Sequence, residues 1–181
     1  AFLPDIAKRA LLDLGRAAAH ALPRVRALRD HADPAVRVRG ALVAWSATGD
    51  PDEALPTLLS RLTPRAWAEW PGPRDALDAL AAMGAAARAA VPVLRERLDS
   101  TPYLALDVAH ALWRITEDPV PLRNAILRAL ATGDAAALTM LRRVGPGDLD
   151  YAPALEALAK SDSKLARQLA AEALAYLETT R

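Results

Sequence analysis

The chain has no cysteine, one phenylalanine and three histidines among its 181 residues. Without cysteine there is no disulfide framework and no thiolate metal site. Aromatic residues make up only 4% of the chain, and valine and isoleucine are few, so a β-rich fold lacks the residues that strands favour. An excess of one charge is missing as well. Lys+Arg number 23 against 22 Asp+Glu, a formal net charge of +1, which gives no global pull toward nucleic acid or a membrane surface. The longest uncharged apolar stretch near the middle, Ala79 to Ala87, falls far short of the roughly 20 residues that span a bilayer. The chain opens Ala1-Phe2-Leu3-Pro4-Asp5, without an initiating Met or a basic-then-apolar leader. It reads as a fragment of a longer protein, with the cytoplasm as the default compartment and no membrane partner.

Alanine and leucine dominate what is there, at about two-fifths of all residues, which is a helix-forming composition. They are arranged in repeats. Gly15 is followed eight positions later by Pro23, Gly84 by Pro92 and Gly145 by Pro153. Each glycine ends a short Leu/Ala run, where a helix C′ residue needs a positive φ. Past the prolines the copies continue. Val36, Ala41, Trp45, Thr48, Asp50 and Pro51 match Leu104, Ala109, Trp113, Thr116, Asp118 and Pro119, and Leu58, Leu59 and Leu62 match Ile126, Leu127 and Leu130. A third copy keeps Leu165, Ala170 and Leu174. These spacings lie on one helix face.

Helix starts are marked by Asp33-Pro34, Asp50-Pro51, Thr63-Pro64, Thr101-Pro102 and Asp118-Pro119. In each, a side-chain oxygen can accept from an orphan N–H while proline leaves none unpaired. The pattern predicts an all-α chain of about eleven helices, near 4–14, 16–31, 34–48, 52–62, 75–83, 85–98, 102–116, 119–131, 134–144, 150–160 and 163–178. Pro23, Pro56, Pro92 and Pro153 start or kink the second helix of a hairpin. Trp45 and Trp113 fall on the buried stripe and read as core.

The stretch from Asp33 to Leu42, with Thr48-Gly49-Asp50-Pro51 and Ala54 to Leu59 after it, resembles the short HEAT-like repeat of phycobilisome lyases and bacterial scaffold proteins. Ser161 to Leu174 looks like the same unit. The copy at Thr101 departs, carrying Ala105 where the family usually has an arginine, as at Arg37. The resemblance covers nearly the whole chain. It implies one domain over 1–181, a right-handed α-solenoid of about five to six helical hairpins, each contacting mainly its neighbours. It also implies that the second helix of each hairpin lines a concave side. The period is broken at 63–74, an insertion holding Trp67 and Trp70 among prolines and charges; insertions in solenoids map to one face and often to binding sites.

Catalytic and metal signatures are missing. No histidine has a Glu or a second His at helical spacing, and there is no Gly-x-Ser-x-Gly or phosphate loop. The chain therefore reads as a non-enzyme without cofactor or metal. The feature that speaks to function is arginine. The helices expected to line the concave side carry ten arginines up to residue 131, against Asp30, Asp52, Glu53 and Glu96. Arg24, Arg61, Arg88, Arg95 and Arg128, with Trp67 and Trp70, are the expected partner-binding residues. The favoured reading is a scaffold that holds a protein partner or another domain of the parent chain. The alternative is a DNA-binding module whose basic groove would resemble that of HEAT-like alkylpurine DNA glycosylases.

Overall fold

The computed structural model describes residues 22–63, 65, 73–145 and 151–180. The chain is all-α, with no strand among the described residues. In order run α1 (Leu22–Ala27), α2 (Pro34–Thr48), α3 (Leu55–Ser60), α4 (Arg74–Met83), α5 (Val91–Ser100), α6 (Ala105–Thr116), α7 (Val120–Ala131), α8 (Ala136–Val144), α9 (Ala152–Leu158) and α10 (Lys164–Thr180). Short 3-10 turns at Leu28–Asp30, Pro51–Glu53, Gly84–Ala90 and Pro102–Leu104 open or join them. The helix expected at 4–14, Arg16, Trp67 and Trp70 lie outside the described residues.

Prolines act as helix starters. Pro56, Pro92 and Pro153 each stand second in their helix, where the missing N–H costs nothing. Three aspartates cap as the sequence leads one to expect. Asp33 Oδ1 accepts from Ala35 N at 2.8 Å, Asp50 Oδ1 from Asp52 N at 3.0 Å and Asp118 Oδ1 from Val120 N at 3.0 Å. Asp134 does the same for Ala136 N at 2.9 Å. Thr101 does not: it makes no side-chain cap bond and is 7% exposed, and α6 is entered through the turn Pro102–Leu104.

That difference has a counterpart one turn later. Arg37 Nη1 donates to the carbonyls of His31 at 2.7 Å and Ala32 at 3.0 Å. Arg167 repeats the arrangement on Ser161 at 2.7 Å and Asp162 at 2.9 Å. Each guanidinium ties the loop before its helix to the first turn. The Thr101 copy has Ala105 in place of this donor, and there the helix start is remodelled.

The helices gather into two compact units, one of Ala1–Glu96 with Arg114–Thr116 and one of Arg97–Trp113 with Glu117–Arg181. In the first, α2 packs against α1, α3 and α4, and Val38, Ala41, Ala44, Leu58, Leu77 and Leu80 are buried. Gly40 brings α2 close to Leu28: a Cβ there would meet Leu28 Cβ at 2.7 Å. In the second unit, α7, α8, α9 and α10 enclose Leu122, Ile126, Leu130, Leu141, Tyr151, Leu155 and Leu169. Fully buried alanines recur at Ala41, Ala44, Ala54, Ala109, Ala137 and Ala170. Small side chains allow close helix approach while leucine fills the seams. The helical run Arg74–Ser100 has the length and apolarity of a membrane span. It is interrupted at Gly84, where φ is +55°, and it buries Leu77, Leu80 and Leu94 in protein.

Trp45 and Trp113 are half-buried rather than fully enclosed. Both stand in the last turn of their helix, and Trp113 packs against the core of the second unit. Their carbonyls close matching helix ends: Gly49 N donates to Trp45 O at 2.7 Å and Glu117 N to Trp113 O at 2.8 Å. Gly49 and Glu117 both have a left-handed backbone, with φ of 75° and 62°. The joint from tryptophan to Asp-Pro is thus repeated in geometry as well as in sequence.

Candidate interaction groove

In the second unit the end of α5 and the start of α7 border an open groove of about 260 Å³. Its position follows from the repeated joint. Asp118 caps α7 and Pro119 directs the chain into it. Val120, Pro121, Asn124, Ala125 and Arg128 then fall on one helix stripe along the groove, opposite Leu98 and Asp99. The floor is apolar: Ala125 is buried, Leu98 and Pro121 are half-buried, and Val120 is 52% exposed. The rim is polar, formed by Asp99, Asp118, Asn124 and Arg128. Arg128 Nη1 stands 3.7 Å from Asp99 Oδ1, and both side chains are mostly in solvent. Such a pair is screened and is worth at most about 1 kcal/mol, so it closes the groove only weakly.

The expected arginines fall in both units. Arg24, Arg61, Arg88 and Arg95 belong to the first unit and Arg128 to the second. Arg24, Arg88 and Arg95 are exposed. Arg88 and Arg95 are seven residues apart along the helical run, a spacing that returns to one face. The Arg61 side chain is only 11% exposed, and its Nε lies 3.9 Å from Asp75 Oδ1. Burial pushes the Asp75 carboxyl above its ordinary range, although the Ala76 N–H, Arg61 and Arg39 pull the other way. The Arg61 charge is thus directed into its own unit.

Arg26 and Arg29, two more of the ten, converge on Glu53. Arg26 Nε donates to Glu53 Oε1 at 2.9 Å, and the Nη2 atoms of both arginines reach the carboxylate. Arg29 also donates to the Glu53 carbonyl at 3.2 Å. Glu53 is 8% exposed. The Arg26 hydrogen bond, aided by the charge of Arg29, holds its carboxyl below the usual range despite desolvation.

Of the groove's lining, Arg128 was among the residues expected from the sequence, and Val120, Asn124 and Asp99 were not. The first two carried a signal: where the first copy has Asp52 and Pro56, the second has Val120 and Asn124. An apolar residue replacing a charged one just after a helix cap marks a changed surface. His31 serves the local fold, its Nδ1 accepting from Asp33 N at 3.0 Å. No cluster of three metal-ligating side chains occurs among the described residues. A scan against protein-family models returned no match, and searches of curated proteins and of solved structures returned none either.

Proposed function

We propose that this chain is a non-catalytic protein–protein interaction module built from HEAT-like helical hairpins. Its partner is another protein or another domain of the parent chain. The observation that carries this reading is Val120, an aliphatic residue half in solvent on the apolar floor of a polar-rimmed groove. An apolar centre inside a polar rim is the anatomy of a protein interface. The repeated Trp-to-Pro joint supports the hairpin repeat. The reading is tested by quantitative affinity capture from source lysate with the wild-type chain and with Val120→Asp. A protein retained by the wild type and depleted by the variant supports it; an identical capture profile from the two chains overturns it.

A nucleic-acid-binding reading rests on Arg24, Arg88 and Arg95, exposed cations of the first unit. Their number is small for a phosphate-tracking surface, and the net charge is +1. A salt titration with random-sequence duplex decides the matter. Micromolar binding at low salt with a steep negative slope supports DNA, and absence of binding at about 50 mM salt removes it.

A further inference from the structure

We propose that Arg123 and Tyr151, in the second unit, bind a small oxyanion, a carboxylate or phosphate group. Neither residue lines the groove between α5 and α7, so the site stands independently of the interaction reading above.

Two donors meet here without an acceptor. Tyr151 is 1% exposed, stands directly before α9 and belongs to the core formed with Leu122, Ile126 and Leu155. Its hydroxyl has no hydrogen-bond partner among the described residues. Arg123, in the first turn of α7, buries its Nε, and that N–H is unbonded as well. No carboxylate among the described residues pairs with its guanidinium. Helices α7 and α9 pack on each other, and the Arg123 charge acts on the Tyr151 phenol. The two groups therefore belong to one seam.

The first unit shows that the seam does not require them. In the register of the copies, Leu55 stands at the place of Arg123 and Ala90 at that of Tyr151. Both are buried, and α3 packs on the turn Gly84–Ala90 as α7 packs on α9. An apolar seam thus serves this repeat, and packing alone does not call for a phenol and a guanidinium. Buried donors without acceptors are costly, and more so when one carries a charge. A water molecule would satisfy the phenol but leave the guanidinium without a counter-charge. An oxyanion answers both: one oxygen accepts from the Tyr151 O–H and the Arg123 Nε–H, and its charge neutralises the cation. The planar guanidinium fork matches carboxylate and phosphate oxygens. Arg123 is half-buried, so the anion approaches on the guanidinium side and only its leading oxygen reaches the phenol.

The test is an NMR titration of the full chain that reads the arginine Nε–H signals and the backbone amides. Sodium phosphate, sodium acetate and sodium chloride are compared at matched ionic strength. Phosphate or acetate should move the Arg123 Nε–H and the Tyr151 amide along a saturating curve, and chloride should not. Tyr151→Phe keeps the ring and removes the hydroxyl alone. It should weaken binding about tenfold, the loss expected for a hydrogen bond to a charged group. Arg123→Leu installs the residue of the first unit and should abolish the response while the circular dichroism spectrum stays helical. Acetate binding at least as tightly as phosphate supports the site as a carboxylate receptor; tighter phosphate supports it as a phosphoryl receptor. Equal, non-saturating shifts with all three salts would mean charge screening only and would overturn the assignment. Saturation that Tyr151→Phe leaves undiminished, or that persists in Arg123→Leu, would overturn it as well.

Discussion

Replacing Glu117 by glycine should stabilise the chain. Glu117 is the one non-glycine residue with positive φ among the described residues, at 62°. Its N–H closes α6 on the Trp113 carbonyl, so the backbone bond survives the change. A non-glycine residue in the left-handed region is strained by roughly 1–2 kcal/mol. Glycine takes back roughly 0.5–1 kcal/mol through its greater freedom in the unfolded chain. Removing a negative charge from a helix C-terminus adds up to a few tenths of a kcal/mol. The net gain is therefore about 0.5–1 kcal/mol. With a urea dependence of about 2 kcal/mol/M, the unfolding midpoint should rise by roughly 0.3–0.5 M. Glu117→Gln separates the charge from the backbone and should give only the small electrostatic part. The reciprocal change is Gly49→Ala, where φ is 75° and a Cβ would meet nothing within 4 Å. It should lose about 0.5–1 kcal/mol from backbone strain alone. Equilibrium urea unfolding followed by circular dichroism reads all three variants. A Glu117→Gly chain no more stable than wild type, or a Gly49→Ala chain as stable, would refute the claim that the two joints share one backbone requirement.

Gly40→Ala should cost about 1–3 kcal/mol by overpacking, because its Cβ would meet Leu28 Cβ at 2.7 Å. Adding Leu28→Gly, which removes the opposing Cβ, should recover part of that loss as a coupling term in a double-mutant cycle of urea midpoints. The folded-state pKa of Glu53 is lowered, so its cluster stabilises above the ordinary glutamate range and is lost as pH falls through the lowered value. Glu53→Gln should therefore be less stable at neutral pH and show a shallower acid limb in a pH series of thermal melts. High salt should narrow the neutral-pH difference, because Arg26 and Arg29 are partly in solvent. The Tyr151 hydroxyl is buried without a hydrogen-bond partner among the described residues, and burial pushes its pKa up to about 12 although Arg123 opposes the shift. Tyr151→Phe should leave the melting temperature unchanged or slightly raised, and it should remove the phenol that still resists ionisation, by absorbance near 295 nm, above pH 11. Relative to Tyr151→Phe, the wild type should lose stability as pH rises from about 10 toward 12, because the phenol ionises first in the unfolded chain.

Helices were legible where their ends carry chemistry. Asp33-Pro34 and Gly49 bracket α2 at the residues expected, because a capping carboxylate, a proline at N1 and a left-handed C-cap each act locally. The expected helix at 102–116 was less exact at its start, since Thr101 looks like a cap and does not act as one. The segment at 52–62 divides into Pro51–Glu53 and α3, with Ala54 at φ −119° between them. The break falls directly after Glu53, the carboxylate that both guanidiniums reach. Arginine was harder to read. Composition counts guanidiniums but does not tell which are consumed by carboxylates distant in sequence, and Arg26 and Arg29 meet an acid 27 and 24 positions away.

The two copies show which positions a repeat leaves free to change. Caps and buried positions act within one helix and one seam, so they persist: Asp50 and Asp118, Leu58 and Ile126, Leu62 and Leu130. Positions joined by an ion pair cannot change singly. Losing Glu53 alone would leave two guanidiniums facing each other, and losing both arginines would leave a carboxylate with little exposure and no cation, a costly state. In the second copy Pro121 stands at the place of Glu53 and Leu98 at that of Arg29, while Arg95 keeps the arginine of Arg26, so the carboxylate and one of its two cations are replaced together. The pair also trades a closed junction for an open one, since leucine and proline are shorter than the Arg–Glu bridge they replace. Leu98 and Pro121 there border the groove, whose polar lining is Asp99, Asp118, Asn124 and Arg128. On this argument, restoring the acid alone by Pro121→Glu should leave the second unit less stable than the double change with Leu98→Arg. A non-additive recovery of the urea midpoint in that double-mutant cycle is the expected result, and simple additivity would mean that the two positions do not share one space.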